Sequence, residues 1–242
     1  MAAQDRHSDR SGKIQLSVII PTLNEENCIA SMLAELLSRD PDLEIIVVDG
    51  GSTDGTLAIV RTFPEVCLLQ ATAVGRALQY NAGARVAGRN LLFFLHADSR
   101  LPEGAFRAIR DLFEDPKITA ASFYLRFDRS RLLYRVLSLL SRLNHTLATY
   151  GDQGLVVRQR DFQAVGGFPE IPICEDLAIQ QLLRKRGKFR KIPLAITTAA
   201  RRFEQAGPWR QTLKNTVIVL GFLLGVAPQK LKRWYPPFNA KV

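Results

Sequence analysis

Cysteine is scarce in this sequence, and the three residues present stand far apart at Cys28, Cys67 and Cys174. None belongs to a C-x-x-C pair and none has a histidine nearby. The spacing therefore excludes a disulfide framework and the usual zinc motifs. A reducing compartment, the cytoplasm, is the expected location.

Long apolar runs are also missing. The longest, Thr216–Ala227, has about a dozen residues, whereas a helix that spans a bilayer needs roughly twenty. Residues 1–13 are polar and charged and contain no apolar stretch, which favours a frayed tail over a signal peptide. We therefore expect no membrane-spanning helix.

Acidic residues are outnumbered, with 23 Asp and Glu against 33 Lys and Arg, a net charge of +10. This excess favours polyanionic partners such as nucleotide phosphates, nucleic acid or anionic lipid. Hydrophobic residues make up 47% of the 242-residue chain, which suits one sizeable globular domain.

Strand and helix signals alternate through the first half of the chain. Continuous apolar runs predict buried strands, and the segments between them carry helical spacing. This alternation predicts an α/β fold with a mostly parallel, doubly wound sheet. The predicted strands are 16–20, 45–48, 66–70, 91–95, 118–127 and 154–158, and the predicted helices are 26–38, 53–63, 75–87, 102–113, 131–149, 175–188 and a segment from about 208.

Three of the apolar runs end at acidic residues, represented by Glu25, Asp49 and Asp98. Ligands of open α/β sheets bind at the carboxyl ends of strands, so these acids suggest one polar crevice for a metal and phosphates. The small residues after Asp49 allow close approach of backbone to a ligand. A structural turn in which Ser52 or Asp54 caps the next helix is the alternative.

Two segments resemble signatures of family 2 glycosyltransferases. They are 18–25 and 47–56, the second matching V-V-D-x-x-S-x-D-x-T. Residues 75–83 are similar to the family's G-x-x-x-A-x-N-x-G segment, and 173–176 to its E-D motif. The resemblance runs from about residue 16 to residue 210. Residues 95–102 and 222–228 resemble the L-H-A-D-x-x-L-P and F-L-G-V-x-P segments of a compact bacterial subgroup, which is linked by gene neighbourhood to arsenosugar biosynthesis.

The resemblance implies a GT-A (Rossmann-like) fold with a helical C-terminal segment, and a nucleotide-diphospho-sugar as donor. Asp49 would bond the nucleotide base, Arg76 would face the phosphates, and Asn81 would brace its helix against the sugar site. The remaining donor-pocket residues would be Pro21, Asn24, Glu25, Ser52 and Asp54. A solvated helix arginine is the alternative for Arg76.

His96 and Asp98 stand where the family usually has D-x-D. A divalent cation, Mn²⁺ or Mg²⁺, would neutralise the diphosphate leaving group, and Asp98 would supply an oxygen ligand. Imidazole as second ligand suits manganese better than magnesium. Alternatively, His96 packs at the strand end and bonds to backbone.

The E-D motif implies that Asp176 is the general base that takes a proton from the acceptor hydroxyl. Its alternative role is a first-turn acid of the following helix. We also predict that Asp152, Gln153 and Glu175 shape the donor or acceptor pocket, although 151–153 could be a structural turn. Arg202 lies in a region weakly similar to Q-x-x-R-W and would clamp the pyrophosphate, unless it belongs to a solvated basic patch.

Together these features predict a metal-dependent inverting glycosyltransferase, with a tail at 1–13, a GT-A domain at 14–210 and a helical extension at 211–242. The alternatives are a nucleotide-sugar-binding protein with little transfer activity and a basic peripheral membrane or polyanion-binding protein. The acceptor would be a small molecule or lipid-linked, and no nucleic-acid partner is expected. Helix 131–149 and the basic C-terminus would grip a lipid-linked acceptor at the inner face of the plasma membrane, or pack on the domain or on a second subunit of a homodimer.

Overall fold

The computed structural model describes residues 14–71 and 75–235. The predicted tail at 1–13 lies outside these residues, as do 72–74 and 236–242. Within the described chain the strands are β1 Leu16–Thr22, β2 Glu44–Asp49, β3 Val66–Gln70, β4 Leu91–Phe94, β5 Ile118–Phe127, β6 Leu155–Arg158 and β7 Lys188–Thr198. The helices are α1 Ile29–Arg39, α2 Thr56–Val60, α3 Arg76–Val86, α4 Ala105–Phe113, α5 Leu132–Leu140, α6 Gln159–Ala164, α7 Glu175–Arg186, α8 Arg201–Ala206, α9 Pro208–Leu223 and α10 Pro228–Trp234.

The strands form one sheet in the order β3-β2-β1-β4-β6-β5-β7. The first four strands are mutually parallel, and β5 is parallel to β7. Only β6, inserted between β4 and β5, runs antiparallel to its neighbours. The predicted α/β class with a mostly parallel sheet is confirmed.

Both faces of the sheet are covered, which explains the continuous apolar runs of the central strands. In β1, Val18 packs in the hydrophobic cluster with α1 and α4, whereas Ile19 packs in the cluster with α3. Helix α3 lies very close to β1, because a Cβ built on Gly83 would be 2.5 Å from the Ile19 side chain. Because α3 packs along β1 and β2, its first turns reach the carboxyl ends of these strands, where Gln79 bonds the Thr22 and Val48 carbonyls.

Several segments differ from the sequence prediction, and among them the short helices α6 and α8 were not predicted. The helix predicted over 131–149 ends at Leu140, and two 3₁₀ turns, at 146–148 and 151–153, follow it. Ser141 stops the helix: its hydroxyl accepts from the Leu125 backbone N–H (2.9 Å) and donates to the Ser138 carbonyl (2.6 Å). Strand β7 was not predicted, although it forms the long edge pairing with β5.

The helical segment predicted from 208 is confirmed as α9 and α10. The predicted boundary between 210 and 211 lies inside α9, and the division into domain and extension stays a prediction. Among the described residues, no helix is long and apolar enough to cross a membrane.

Candidate active site

The two loops predicted to bind the donor lie against each other at the ends of β1 and β2. The Ser52 hydroxyl accepts from the Asn24 backbone N–H (2.9 Å), and Asn24 Oδ1 accepts from the Thr53 N–H (2.8 Å). The Glu25 N–H donates to Thr56 Oγ1 (2.8 Å). These bonds hold Asn24 in the left-handed region, with φ of 58°, which is unusual for a residue other than glycine.

Asp49 is buried beneath this pair of loops. Its Oδ2 accepts from the N–H groups of Gly51 (2.8 Å) and Ser52 (2.9 Å), and Oδ1 accepts from the Ser52 hydroxyl. The carboxylate therefore holds its own turn, and its bond to a nucleotide base stays a prediction. Pro21 is likewise buried, within β1.

Two side chains of α3 fix the floor and one wall of the site. Gln79 Nε2 donates to the carbonyls of Thr22 (2.9 Å) and Val48 (2.8 Å), so it ties together the ends of β1 and β2. Asn81 exchanges two hydrogen bonds with the backbone of Phe168 (2.8 and 2.9 Å). The bracing role of Gln79 was missed, although a glutamine on the buried face of a small-residue helix is a usable signal.

The second half of the chain adds a charged cleft beside these loops. Three contacts join residues that are distant in sequence: Arg76 Nε to Glu175 Oε1 at 2.9 Å, His96 Nδ1 to Asp152 Oδ1 at 3.2 Å, and the Gly151 N–H donating to Asp176 Oδ2 at 2.8 Å. Arg76, His96, Glu175 and Asp176 line one small cavity. The structure thus brings these predicted residues together.

Asp176 has the electrostatics of a proton acceptor. Burial and the nearby Glu175 carboxylate raise its pKa, and the positive charge of Arg76 only partly opposes this effect. The residue before the motif, Cys174, adopts φ of 66°, a strained conformation for a side chain with a Cβ. Strain of this kind persists only where the surrounding structure imposes it.

His96 and Asp152 form a coupled pair. Burial lowers the pKa of His96, but the hydrogen bond and charge of Asp152 outweigh it and the net shift is upward. For Asp152, burial raises the pKa, whereas the hydrogen bond and charge of His96 bring it below the usual value. Both shifts favour the ion pair.

His96 and Asp98 are suited to a cation site in which the phosphate oxygens of the donor supply the remaining ligands. Asp98 is exposed at the end of the β4 segment, and partial dehydration and the Asp152 charge raise its pKa. Its charge also interacts with Glu25, across the cleft. No group of three or more His, Cys, Asp or Glu side chains suited to a metal occurs in 14–71 and 75–235. One or two protein ligands with phosphate oxygens are, however, a common arrangement for Mg²⁺.

Gln153 lies under the cleft. It is fully buried, its Nε2 donates to the Ala148 carbonyl (2.8 Å), and its Oε1 accepts from Lys191 on β7. Burial lowers the pKa of Lys191 to about 7. Lys191 was missed because β7 itself was not predicted. Direct contact of Gln153 with a ligand stays a prediction.

Three further polar groups surround the cleft. The Arg202 guanidinium lies over the Tyr235 ring, 4.2 Å from its centroid, and interacts electrostatically with Asp152. Ser122 Oγ and Gln180 Oε1 line the cavity, are buried, and have no hydrogen-bond partner among the described residues. Buried polar atoms without a partner are expensive, so these two atoms are suited to contact a polar ligand.

Residues 17–165 match the family model described as Glycosyl transferase family 2. The chain belongs to glycosyl transferase family 2. The predicted donor loops, Arg76, His96, Asp98 and Asp152 lie inside the matched range, whereas Glu175, Asp176 and Arg202 lie beyond it.

Curated relatives agree with this family assignment. Over 93 residues the chain is 36% identical to a PGL/p-HBAD biosynthesis glycosyltransferase of Mycobacterium bovis, a match that covers 36% of each chain. It is 32% identical over 92 residues to the uncharacterized glycosyltransferase YibD of Escherichia coli, covering 36% of this chain and 27% of YibD. The matches therefore span about a third of the length of these relatives.

Solved structures confirm the GT-A fold. The mannosyltransferase PcManGT from Pyrobaculum calidifontis, determined with GDP-Man and Mn²⁺, superposes with a TM-score of 0.68 at 24% identity, covering 93% of this chain and 68% of that one. TarS of S. aureus gives a TM-score of 0.66 at 16% identity, covering 91% and 68%. These likenesses show that this member of family 2 has the expected fold.

Proposed function

We propose that this glycosyltransferase inverts the anomeric carbon of a nucleotide-diphospho-sugar as it transfers the sugar to an acceptor hydroxyl. The observation that carries the proposal is Asp176. Its carboxylate lines the cleft beside His96 and Arg76, two backbone N–H groups orient it, and its pKa is raised. An oriented carboxylate with a raised pKa is suited to general-base work.

In this reaction Asp176 takes the proton of the acceptor hydroxyl as the hydroxyl oxygen bonds to the anomeric carbon. The bond from that carbon to the diphosphate breaks, and its electron pair leaves with the diphosphate. A single displacement from the opposite side inverts the anomeric configuration. The chain contributes mainly positioning and charge stabilisation.

The leaving diphosphate would meet Arg76 and Arg202 on the phosphate side of the cleft. Half of the Arg76 side chain is exposed despite its ion pair with Glu175, so the guanidinium is accessible to an anion. Asp98 would hold a divalent cation that, when bound, neutralises charge on the diphosphate. His96 would be the second ligand through Nε2, after losing the proton on that atom and keeping its Nδ1 contact with Asp152. The Mn²⁺ in the PcManGT complex supports this expectation.

The cavity beyond Asp176 favours a polar acceptor. Ser122 and Gln180 offer hydrogen-bonding atoms that no described residue uses. The cavity is small, so a single hydroxyl of a small-molecule or lipid-linked acceptor would satisfy them. We place the reaction in the cytoplasm, where free thiols such as the exposed Cys67 persist.

Calorimetric titration of the protein with UDP, GDP and dTDP, each with and without Mn²⁺, tests the donor site. We expect one diphosphate to bind tightly only with the cation, and Asp98→Ala to lose that binding. Asp111→Asn, a change at an exposed carboxylate on α4, serves as the matched control. Absence of binding to all three would contradict the proposal.

A nucleotide-sugar-binding protein with little transfer activity is the second candidate. It is favoured by the pairing of His96 with Asp152 and by the lack of a complete metal cluster in the described residues. Donor hydrolysis in the absence of acceptor separates the two candidates. Hydrolysis that survives His96→Ala but is lost in Asp98→Ala excludes simple binding.

A further inference from the structure

Helix α9 presents an apolar stripe to solvent. Trp209, Leu213, Leu220 and Leu224 are 73%, 66%, 47% and 84% exposed, and Val217 completes the row. Their spacing of three or four residues places them on one side of the helix. A continuous exposed stripe of this size indicates a binding surface.

The opposite side of α9 is anchored to the domain. Ile218 and Val219 pack with Leu231 of α10 and with Ile173 and Leu177, which flank the E-D motif. The helix pair is therefore fixed in place, and the stripe faces outward because the other side is already buried.

The charge on this pair of helices is entirely positive. From residue 205 to residue 235 the chain contains no Asp or Glu. It carries five cations there: Arg210, Lys214, Lys230, Lys232 and Arg233. Lys214 lies over the Tyr235 ring, and the other four cations are exposed. An exposed apolar stripe on a segment with cations and no acidic residue is the pattern of a helix that lies in the surface of an anionic membrane.

Both tryptophans of the protein lie on this pair of helices and are exposed. Trp209 begins α9, and Trp234 ends α10 and is 59% exposed. Tryptophan is enriched at membrane interfaces, where its ring meets the acyl region and its N–H meets water.

We propose that α9 and α10 bind the surface of an anionic lipid bilayer. A second copy of this chain fits the surface less well, because the two cationic faces would repel each other. Nucleic acid would use the cations but leave the leucines unburied. Only an anionic bilayer satisfies both the charge and the stripe.

The role of this surface in sugar transfer rests on the proposed function, which it deepens by favouring a lipid-linked acceptor. Tyr235, at the end of α10, lies under Arg202, and Arg202 interacts with Asp152 in the cleft. The docked helices would therefore hold the cleft close to the lipid, where a lipid-linked acceptor resides.

Co-sedimentation of the full chain with vesicles tests the proposal, using phosphatidylcholine alone and with about one third phosphatidylglycerol. We expect strong binding only to the anionic vesicles, at least a tenfold loss of affinity in Leu213→Glu/Leu220→Glu, and release by high salt. Because both tryptophans lie on the surface, docking should also shift their fluorescence to the blue.

The matched control is Ser38→Glu/Val86→Glu, which adds the same two carboxylates at exposed positions on α1 and α3, outside both helices predicted to contact lipid. We expect its vesicle binding to stay within twofold of the wild type. The proposal would be overturned if both variants lost vesicle binding equally, or if the wild type did not bind anionic vesicles. It would also be overturned if the protein bound DNA but not vesicles and the α9 variant bound DNA as well as the wild type does. A further contrary outcome is a wild-type protein that does not bind vesicles but forms a dimer, with only the α9 variant monomeric.

Nucleotide-diphosphate binding is measured on the same samples. We expect the α9 variant to retain it and its thermal midpoint. Vesicle binding without nucleotide binding would contradict the proposed function but support the membrane-binding surface. Nucleotide binding without vesicle binding would contradict only the membrane-binding surface.

Discussion

The aspartates of the site fall into two groups that do opposite things with similar side chains. Asp49 and Asp54, in the loops after β2, accept hydrogen bonds from backbone N–H groups of their own turn. Asp152 and Asp176, in the second half, lie close to other charged side chains, even though Asp176 also accepts two backbone N–H bonds. The first group stabilises the conformation of the turns, and the second lies where it can contact the reacting groups.

The pKa shifts of Asp54 and Asp176 have opposite signs. Burial raises the pKa of Asp54, but its hydrogen bonds with Thr56 and Glu26 together outweigh burial, and the net shift is downward. The pKa of Asp176 is raised, because burial and Glu175 outweigh Arg76 and the two N–H donors. A carboxylate at a strand end is therefore not reactive by position alone, since its neighbours decide its role.

Asp176→Asn should have the largest effect. The amide keeps the shape of the carboxylate but cannot accept the proton, so we expect transfer to fall by about 10²- to 10⁴-fold. Nucleotide-diphosphate affinity should stay near that of the wild type. Asp111→Asn should leave transfer unchanged, and a fall of less than tenfold in Asp176→Asn would place the base elsewhere.

Asp49→Ala should act on stability instead. The change leaves the N–H groups of Gly51 and Ser52 without their acceptor, at a cost of about 1–3 kcal/mol. Denaturant unfolding measures this loss, with Asp111→Ala as the control. A variant as stable as the wild type but unable to bind any nucleotide would show that Asp49 acts on the ligand and not on the turn.

The pH profile of transfer should reveal the raised pKa of Asp176. The base is active when ionised, so activity should fall, as the pH is lowered, at a higher pH than for an ordinary aspartate. Arg76→Gln removes a positive charge that lowers this pKa, so the acid limb should move to still higher pH. An acid limb that is unchanged in the variant would contradict the assignment.

Asp54→Ala should have the smallest effect, a loss of about 1 kcal/mol from the first turn of α2. Because its pKa is lowered in the folded protein, the stabilisation is present above the usual aspartate value and disappears as the pH falls through the lowered value. Unfolding at neutral pH and at acid pH should therefore show a difference between wild type and variant only at neutral pH.

The sequence predicts the first half of the fold well because its patterns are local. Each of β1 to β4 is a compact apolar run, and both faces of the sheet are covered. Strand β7 escaped prediction for two reasons. It carries Lys188, Arg190 and Lys191, and Pro193 interrupts it. In the structure, Pro193 lies where the register between β5 and β7 shifts, which is a position that tolerates proline.

The site was predictable as a set of residues but not as a set of contacts. Strand-end position and family resemblance indicate His96, Asp152 and Asp176. Nothing in local sequence indicates that His96 pairs with Asp152 or that Gly151 donates to Asp176, because these contacts depend on how the 3₁₀ turn at 151–153 meets β4 and α7. Gln79 and Lys191 support the cleft through hydrogen bonds to residues distant in sequence, which local sequence does not reveal.

The position of β6 has a consequence for the order of folding. Strands β1 to β4 are joined by short helical connections and assemble through local contacts, whereas β6 reaches β4 only after α4, β5 and α5 have been traversed. Closing such a long loop slows folding. We therefore expect a half-sheet with β4 as an unprotected edge to form first, and the cleft, which needs Asp98 from one half and Asp176 from the other, to form last.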